Sequence, residues 1–252
     1  MADTHTDREI RRILTDPKLL VCLQAQEDAY GTPRLEETLQ KIKYGTEIAR
    51  SFGFDETLTQ AIQTVHDLSL PCFGAVGEEF LRSVDPGCTR ALYGRRLAGK
   101  LLHGLDPAAV DAVCEGVWYT LNDRHHTPEE MIVWIMEYLF NFTRTFASPG
   151  LRFLFESRYQ QVVIEKTAQS GRLTRYEIPA NTPETRPVLQ RSAEELQARR
   201  ARLDAAYRHC LAHPETVPAA FRAGWDDLPE AILLSYYVAG MREDQWETPA
   251  AE

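Results

Sequence analysis

Apolar residues recur at helical spacing along most of the chain. Between Arg34 and Phe52 they fall every three or four positions, and Gly53 is a natural stop for a helix that ends there. Asp55 is an N-cap candidate for the next amphipathic segment, which runs as far as His66 and Asp67. The same pattern predicts further helices over residues 7–15, 78–83, 89–102, 107–121, 127–146, 192–212, 218–223 and 229–241.

One segment has a different pattern. Residues 160–178 contain two β-prone runs, Val162-Val163-Ile164 and Leu173-Thr174-Arg175-Tyr176, on either side of Gln169-Ser170-Gly171. Such runs around a glycine-containing turn predict a β-hairpin. The expected fold class is therefore all-α, with one small β-hairpin over 160–178.

The composition is that of a globular protein with a sizeable core. Of the 252 residues, 44% are hydrophobic and 26% are charged, and the net charge is −9. Phosphate backbones are bound by clustered Lys and Arg, so this acidic balance argues against nucleic acid as a partner. A small phosphorylated ligand remains compatible with it, because such a ligand needs only a local basic pocket or a metal ion.

The location of the protein is suggested by its cysteines and its apolar stretches. The five cysteines form no C-x-x-C pair, which suits reduced thiols better than a disulfide framework. The polar start of the chain has no apolar signal segment, and the apolar run Met131–Phe140 is too short for a bilayer, which needs about 20 residues. We expect a soluble cytoplasmic protein without a membrane partner.

Two places in the sequence could carry chemistry. His66 and Asp67 end an apolar helix just before a loop containing Pro71 and Gly74, where both side chains could reach one metal ion; a helix cap or a surface pair is the alternative. Glu137 is the one acid within Met131–Phe140. A carboxylate buried there needs a cation, a hydrogen-bonding partner or a proton, and the partner could equally be an Arg or a Tyr hydroxyl.

Residues 57–80 resemble the second signature of the HD-domain dGTPase-like triphosphohydrolases. The family run reads H-D-(I or L)-G-H-P-P-F-G-H-x-G-E. The chain matches it at His66, Asp67, Leu68, Pro71, Phe73, Gly74, Gly77 and Glu78.

Other runs follow the family in the same order. Residues 34–39, Arg-Leu-Glu-Glu-Thr-Leu, are similar to the start of its R-L-T-H-S-L-E-V-A helix, and residues 237–241, Tyr-Val-Ala-Gly-Met, are similar to its Y-I-A-G-M run. The resemblance extends from about residue 7 to 245. It implies a single domain over 1–252, with the HD core at 30–146 and a C-terminal helical subdomain at 188–245.

The resemblance also implies a metal site. The family binds its metal through H…H-D…D, and the corresponding positions here hold Glu37, His66, Asp67 and Glu137. This hard, anionic set would favour Mg²⁺ or Mn²⁺, with iron as an alternative. On helical periodicity alone, Glu37 would face solvent.

The remaining roles that the resemblance implies concern catalysis and substrate. Asp67 and Glu78 would be catalytic, and Arg34 and Tyr237 would bind substrate.

The chain departs from the family at positions that handle protons and sugar. Leu70 and Ala75 stand where the family has two loop histidines. Asn141 and Thr145 stand at the positions that hold the sugar in the family. We therefore expect a diverged, metal-dependent phosphohydrolase-like protein that acts on a nucleotide or another phosphorylated small molecule and is not an efficient dGTPase. The alternative is a catalytically inactive HD-fold protein that regulates or oligomerises and binds a nucleotide or a protein. The resemblance also implies a homo-oligomer.

Overall fold

The computed structural model describes residues 4–26, 34–177, 190–223, 225 and 227–240. Within these ranges the chain forms α-helices and no β-strand, which confirms the all-α prediction. The helices are α1 His5–Leu14, α2 Pro17–Ala25, α3 Arg34–Phe52, α4 Glu56–Leu68, α5 Ala75–Val84, α6 Arg90–Leu101, α7 Pro107–Leu121, α8 Pro128–Thr143, α9 Pro149–Ser170, α10 Ala193–Ala212, α11 Ala219–Arg222 and α12 Glu230–Gly240, with a 3₁₀ turn at Pro214–Thr216. No helix in the described part of the chain is long and apolar enough to cross a membrane.

Side-chain caps define where most of the helices begin. The hydroxyls of Thr4, Thr127 and Ser192 each accept a hydrogen bond from the backbone N–H three residues later. The acidic side chain at that later position accepts a hydrogen bond from the backbone N–H of the cap residue. Asp16 and Asp106 cap α2 and α7, each of which starts with a proline. Proline suits this first position because its missing N–H would have no partner inside the helix.

The structure replaces the predicted hairpin with helix. Helix α9 continues through residues 160–170, and residues 171–177 have no regular structure, while residue 178 lies outside the described ranges. The buried residues of α9 are Glu156, Tyr159, Val163 and Thr167, which is helical spacing. Packing of this face against α3 and α8 outweighs the β propensity of the valines. Gly171 then ends the helix at φ 65°.

The described residues form three apolar core clusters. One joins α5, α10 and α12; a second joins α1, α4, α6 and α7; the third joins α3, α8 and α9. Helix α4 contacts α3, α7 and α8 and buries ten of its thirteen residues, from Thr57 to Leu68. A helix buried on nearly all sides lies inside the protein, so the His-Asp pair at its end is an interior feature.

Each predicted subdivision contains several of the described helices. The segment 30–146 holds α3 to α8, and the described part of 188–245 holds α10 to α12. The domain boundaries themselves stay a prediction.

A close approach of α4 and α7 leads to a stability prediction. A Cβ added at Gly116 would lie 2.3 Å from Cδ1 of Ile62, which is itself buried, so Gly116→Ala should lower the free energy of unfolding by about 1–3 kcal/mol. The matched control is Gly99→Ala in α6, where the nearest neighbour is Sγ of Cys114 at 3.6 Å. This change should raise stability by about 0.5–1 kcal/mol, because alanine is the better helix former. Urea denaturation of both variants tests the pair, and equal effects would contradict the packing.

Candidate functional site

Three helices bring the predicted ligand residues together. Nδ1 of His66 lies 3.3 Å from Oδ1 of Asp67 and 3.4 Å from Oε1 of Glu137. Each of these residues offers one ligand atom within 4.8 Å of the other two, a group that could hold a metal ion. The C-terminal end of α4 therefore meets the middle of α8, while the metal-binding role stays a prediction.

The centre of the site contains a side chain that the sequence analysis did not consider. Lys41 of α3 is fully buried. Its Nζ lies 2.7 Å from Oε1 of Glu137, 3.0 Å from Oε1 of Glu37 and 3.3 Å from Oδ1 of Asp67. One ammonium thus contacts three carboxylates, each from a different helix.

Asp67 has both carboxylate oxygens engaged by side chains of α3. Nη2 of Arg34 donates to Oδ1 at 3.2 Å, and the Thr38 hydroxyl donates to Oδ2 at 2.6 Å. Lys41 reaches both oxygens, at 3.3 and 3.4 Å. Asp67 has no exposed surface, so its lone pairs are directed at protein donors.

The two glutamates are held by the same ammonium and by separate partners. Nε2 of Gln63 donates to Oε1 of Glu137 at 2.8 Å, and Nη2 of Arg152 lies 3.5 Å from Oε2 of Glu37. Glu37 is buried rather than solvent-facing, but it is not part of the close His-Asp-Glu group.

The charges of this cluster stabilise one another. Burial by itself would lower the pKa of Lys41, but Asp67, Glu137 and Glu37 together raise it above its usual value. Burial opposes ionisation of Asp67, yet Lys41 and Arg34 hold the pKa of Asp67 well below its usual range. The pKa of Glu137 is lowered against burial as well, first by Lys41 and then by His66. The cluster is therefore a set of ion pairs at neutral pH.

A divalent metal ion does not fit these residues as they are arranged. An ion bound by His66, Asp67 and Glu137 would compete with the Lys41 ammonium for Oε1 of Glu137 and for both oxygens of Asp67. Two cations so close repel each other strongly in a buried site. The donor types suit a hard cation, but the cation already in contact with them is the protein's own.

The loop after the His-Asp pair explains the motif glycines. Gly74 has φ 57° and ψ −118°, a conformation that favours glycine, and Phe73 before it also has a positive φ of 60°. A Cβ at Gly77 would lie 2.2 Å from the carbonyl oxygen of Cys72. The backbone N–H of Cys72 in turn donates to the carbonyl of Ala239 in α12, so the loop is pinned to the C-terminal helices.

A cavity of about 120 Å³ lies beside this loop. Arg90 connects it to the His-Asp helix, because its Nη2 donates to the carbonyl of His66 at 2.9 Å and its Nε donates to Oγ of Ser69 at 3.2 Å. Two arginines and one acid lie on its walls. The lining residues are Pro71, Glu78, Leu81, Arg82, Cys88, Thr89, Arg90 and Tyr93.

The other predicted site residues have varied positions. Glu78 lines the cavity, and its catalytic role stays a prediction. Arg34 is buried against Asp67 and is not among the cavity residues. Tyr237 packs against Phe221 in α11, with ring centres 5.1 Å apart, and it does not line the cavity either.

Lys41 is the central residue that the sequence analysis missed. A signal was present, because a lysine four residues after Glu37 lies on the same face of a helix and pairs with it. Arg90 was also missed, and nothing in its sequence neighbourhood indicates that its guanidinium turns inward.

Comparison with known proteins finds partial similarity to one group. The chain is 41% identical over 64 residues to a deoxyguanosinetriphosphate triphosphohydrolase-like protein of Nitrobacter hamburgensis, which is 25% of this chain and 16% of that protein. Proteins of the same description from Geobacter metallireducens and Deinococcus radiodurans are 39% identical over 70 residues and 35% identical over 83 residues. These matches cover 28% and 33% of this chain, and 18% and 22% of those proteins.

The similarity is thus local. The chain spans about a fifth or less of the length of these relatives. No family model matches the chain. The comparisons support a likeness to dGTPase-like proteins, and the all-helical fold agrees with it.

Proposed function

We propose that this chain is a diverged, HD-like helical protein that binds a phosphorylated or nucleotide-like small molecule without hydrolysing it efficiently. The observation that carries the proposal is the state of Asp67. Both of its oxygens are bound by buried donors of the protein itself, so it has no free lone pair with which to orient a metal-activated water.

The loop supports the absence of efficient hydrolysis. By the resemblance, the positions of Leu70 and Ala75 would carry the groups that assist hydrolysis at the phosphate. Neither an isobutyl nor a methyl side chain can transfer a proton or donate to a phosphate oxygen. Glu78 remains as the carboxylate among the residues that line the cavity.

The cavity supports ligand binding. Arg82 and Arg90 lie on its wall. Thr89, the N-cap residue of α6, lines it as well. Guanidinium groups bind phosphate oxygens through paired, charge-assisted hydrogen bonds. Glu78 reduces the positive field, but the two arginines outweigh it in charge.

A metal-dependent hydrolase is the second candidate. It is favoured by the close approach of His66, Asp67 and Glu137, whose ligand atoms lie within 4.8 Å of one another. In that case a metal ion would have to displace Lys41, and activity would depend on Mn²⁺ or Mg²⁺. The homo-oligomer that the resemblance implies also stays a prediction, and light scattering that finds a monomer would contradict it.

The first prediction of this proposal concerns turnover. The purified chain should release no triphosphate from dGTP above background, with or without Mn²⁺ or Mg²⁺. Each lost proton-handling group typically contributes about 10²–10⁴-fold in rate. Chromatographic measurement of deoxyguanosine and triphosphate tests this expectation.

The variant Asp67→Asn is the control for this assay and should give the same background as the unaltered protein. Circular dichroism should first show that the variant remains helical. Metal-dependent turnover of dGTP, or of another phosphorylated metabolite, that Asp67→Asn abolishes would establish the second candidate instead.

The second prediction concerns the cavity. Arg82 is solvent-exposed, so Arg82→Gln should leave the fold intact while it weakens binding of dGTP and of inorganic tripolyphosphate by about tenfold. Arg158→Gln is a matched control, because Arg158 is also an exposed helical arginine but lies on α9, outside the cavity.

Isothermal titration calorimetry of the three proteins gives the comparison. Equal weakening by both substitutions would indicate non-specific attraction of an anion. Absence of binding to the unaltered protein at millimolar ligand would contradict the ligand-binding part of the proposal.

A further inference from the structure

The Lys41 ammonium lies where the resemblance places a metal ion. Three of the four predicted ligand residues contact its Nζ, namely Glu37 at 3.0 Å, Asp67 at 3.3 Å and Glu137 at 2.7 Å. The fourth, His66, lies against the same Asp67 and Glu137 oxygens that face the ammonium. The predicted ligand set therefore surrounds a cation that belongs to the chain.

The geometry of lysine accounts for this placement. Lys41 follows Glu37 by one helical turn on α3, and its apolar stem is fully buried with Nζ 5.9 Å from the centre of the Phe140 ring. A protonated amine is a compact charge with three N–H donors. Nζ of Lys41 donates to Asp67 and Glu137, and it forms an ion pair with Oε1 of Glu37 at 3.0 Å. It can thus bridge α3, α4 and α8 as a metal ion would.

Each carboxylate of the cluster has a cationic partner without a metal, although Arg152 is shared with Glu156, whose Oε1 lies 2.6 Å from its Nε. Three carboxylates face three cationic side chains within 3.5 Å, each acid having at least one such contact. Removing the ammonium would leave a buried excess of negative charge next to an imidazole. Carboxylate oxygens with one imidazole form a set that binds Mn²⁺ or Mg²⁺. The residues concerned are Glu37, Asp67, Glu137, Lys41, Arg34 and Arg152.

We propose that the Lys41 ammonium is the resident cation of this site, and that it keeps closed a divalent-metal site formed by His66, Asp67 and Glu137. The proposal deepens the proposed function, since a site whose cation is an amine has no metal-bound water to deliver. It also assigns Lys41 a structural role, because the ammonium joins α3 to α4 and α8 in place of a metal.

The test measures metal binding and not activity. Protein purified without chelator or nickel is titrated with Mn²⁺, and free Mn²⁺ is followed by electron paramagnetic resonance. The unaltered chain should bind no stoichiometric Mn²⁺. Lys41→Ala should bind one Mn²⁺ at least about 100-fold more tightly, because burying the carboxylates without a partner is costly and the ion relieves that cost.

Two further variants make the result specific. Lys43→Ala removes an exposed lysine from the same helix and should behave like the unaltered chain. Lys41→Ala combined with Asp67→Asn removes one ligand of the opened site and should lose the Mn²⁺ bound by the single variant.

Folding of the variants is monitored by helicity and thermal unfolding, with Lys41→Met as a second variant that keeps the volume of the stem. Mn²⁺ should raise the unfolding temperature of the Lys41 variants and leave that of the unaltered chain unchanged. The proposal is overturned by stoichiometric Mn²⁺ on the unaltered chain that Asp67→Asn removes. It is also overturned if the Lys41 variants fold without binding Mn²⁺, or stay unfolded in millimolar Mn²⁺, since the ion then cannot replace the ammonium.

The two proposals fail in different measurements. Hydrolysis by the metal-free, unaltered chain would refute the proposed function and leave the role of Lys41 standing. Mn²⁺ bound by the unaltered chain without turnover would refute the role of Lys41 alone.

Discussion

The arrangement around the site depends on one buried ammonium. A lysine without exposed surface is costly unless its charge is paired, and Lys41 meets this requirement with carboxylates from α3, α4 and α8. The same contacts solve the opposite problem for Asp67 and Glu137, whose burial alone would favour their protonated forms. Each side of the cluster is tolerable inside the protein only because the other is present, so the three helices must meet at this point.

The surrounding elements hold this meeting point in place. Helix α4 is buried on nearly all sides and delivers Asp67 at its end, while the apolar face of α8 packs against α3 and presents Glu137. Beyond α4, Gly74 and Gly77 allow a tight loop whose backbone bonds to α12. Arg90 lines the cavity next to this loop and also donates a hydrogen bond to the carbonyl of His66. Arg90 would therefore lie between an anion bound in the cavity and the ion pairs.

The cluster shows one way in which converging carboxylates are neutralised without a metal ion. A divalent ion and an ammonium satisfy the same need, which is to neutralise converging carboxylates in a low-dielectric interior. The ammonium brings its own covalent tether and needs no outside supply, but it cannot polarise a water molecule as a metal ion does. The contacts of Lys41 thus join α3, α4 and α8 at one point, which is compatible with the proposed function.

The sequence by itself determined most of the helices. Capping residues and apolar spacing predict α3, α4 and α8 closely, because these signals are local and act within a few residues. The hairpin prediction over 160–178 was wrong for its first half, since the valines of α9 follow their tertiary packing and not their intrinsic preference. The short α2 was not predicted, although Asp16 and Pro17 form a good helix start.

Only the tertiary structure decided what the site contains. The sequence indicates that His66, Asp67 and Glu137 belong together, through the order of the motifs and the isolation of Glu137 among apolar residues. It does not show that Lys41 turns inward, because a lysine on a largely polar helix ordinarily extends into solvent. Its direction follows from the three carboxylates that α3, α4 and α8 bring to one point, and a contact between residues 96 positions apart, as between Lys41 and Glu137, exists only in the folded chain.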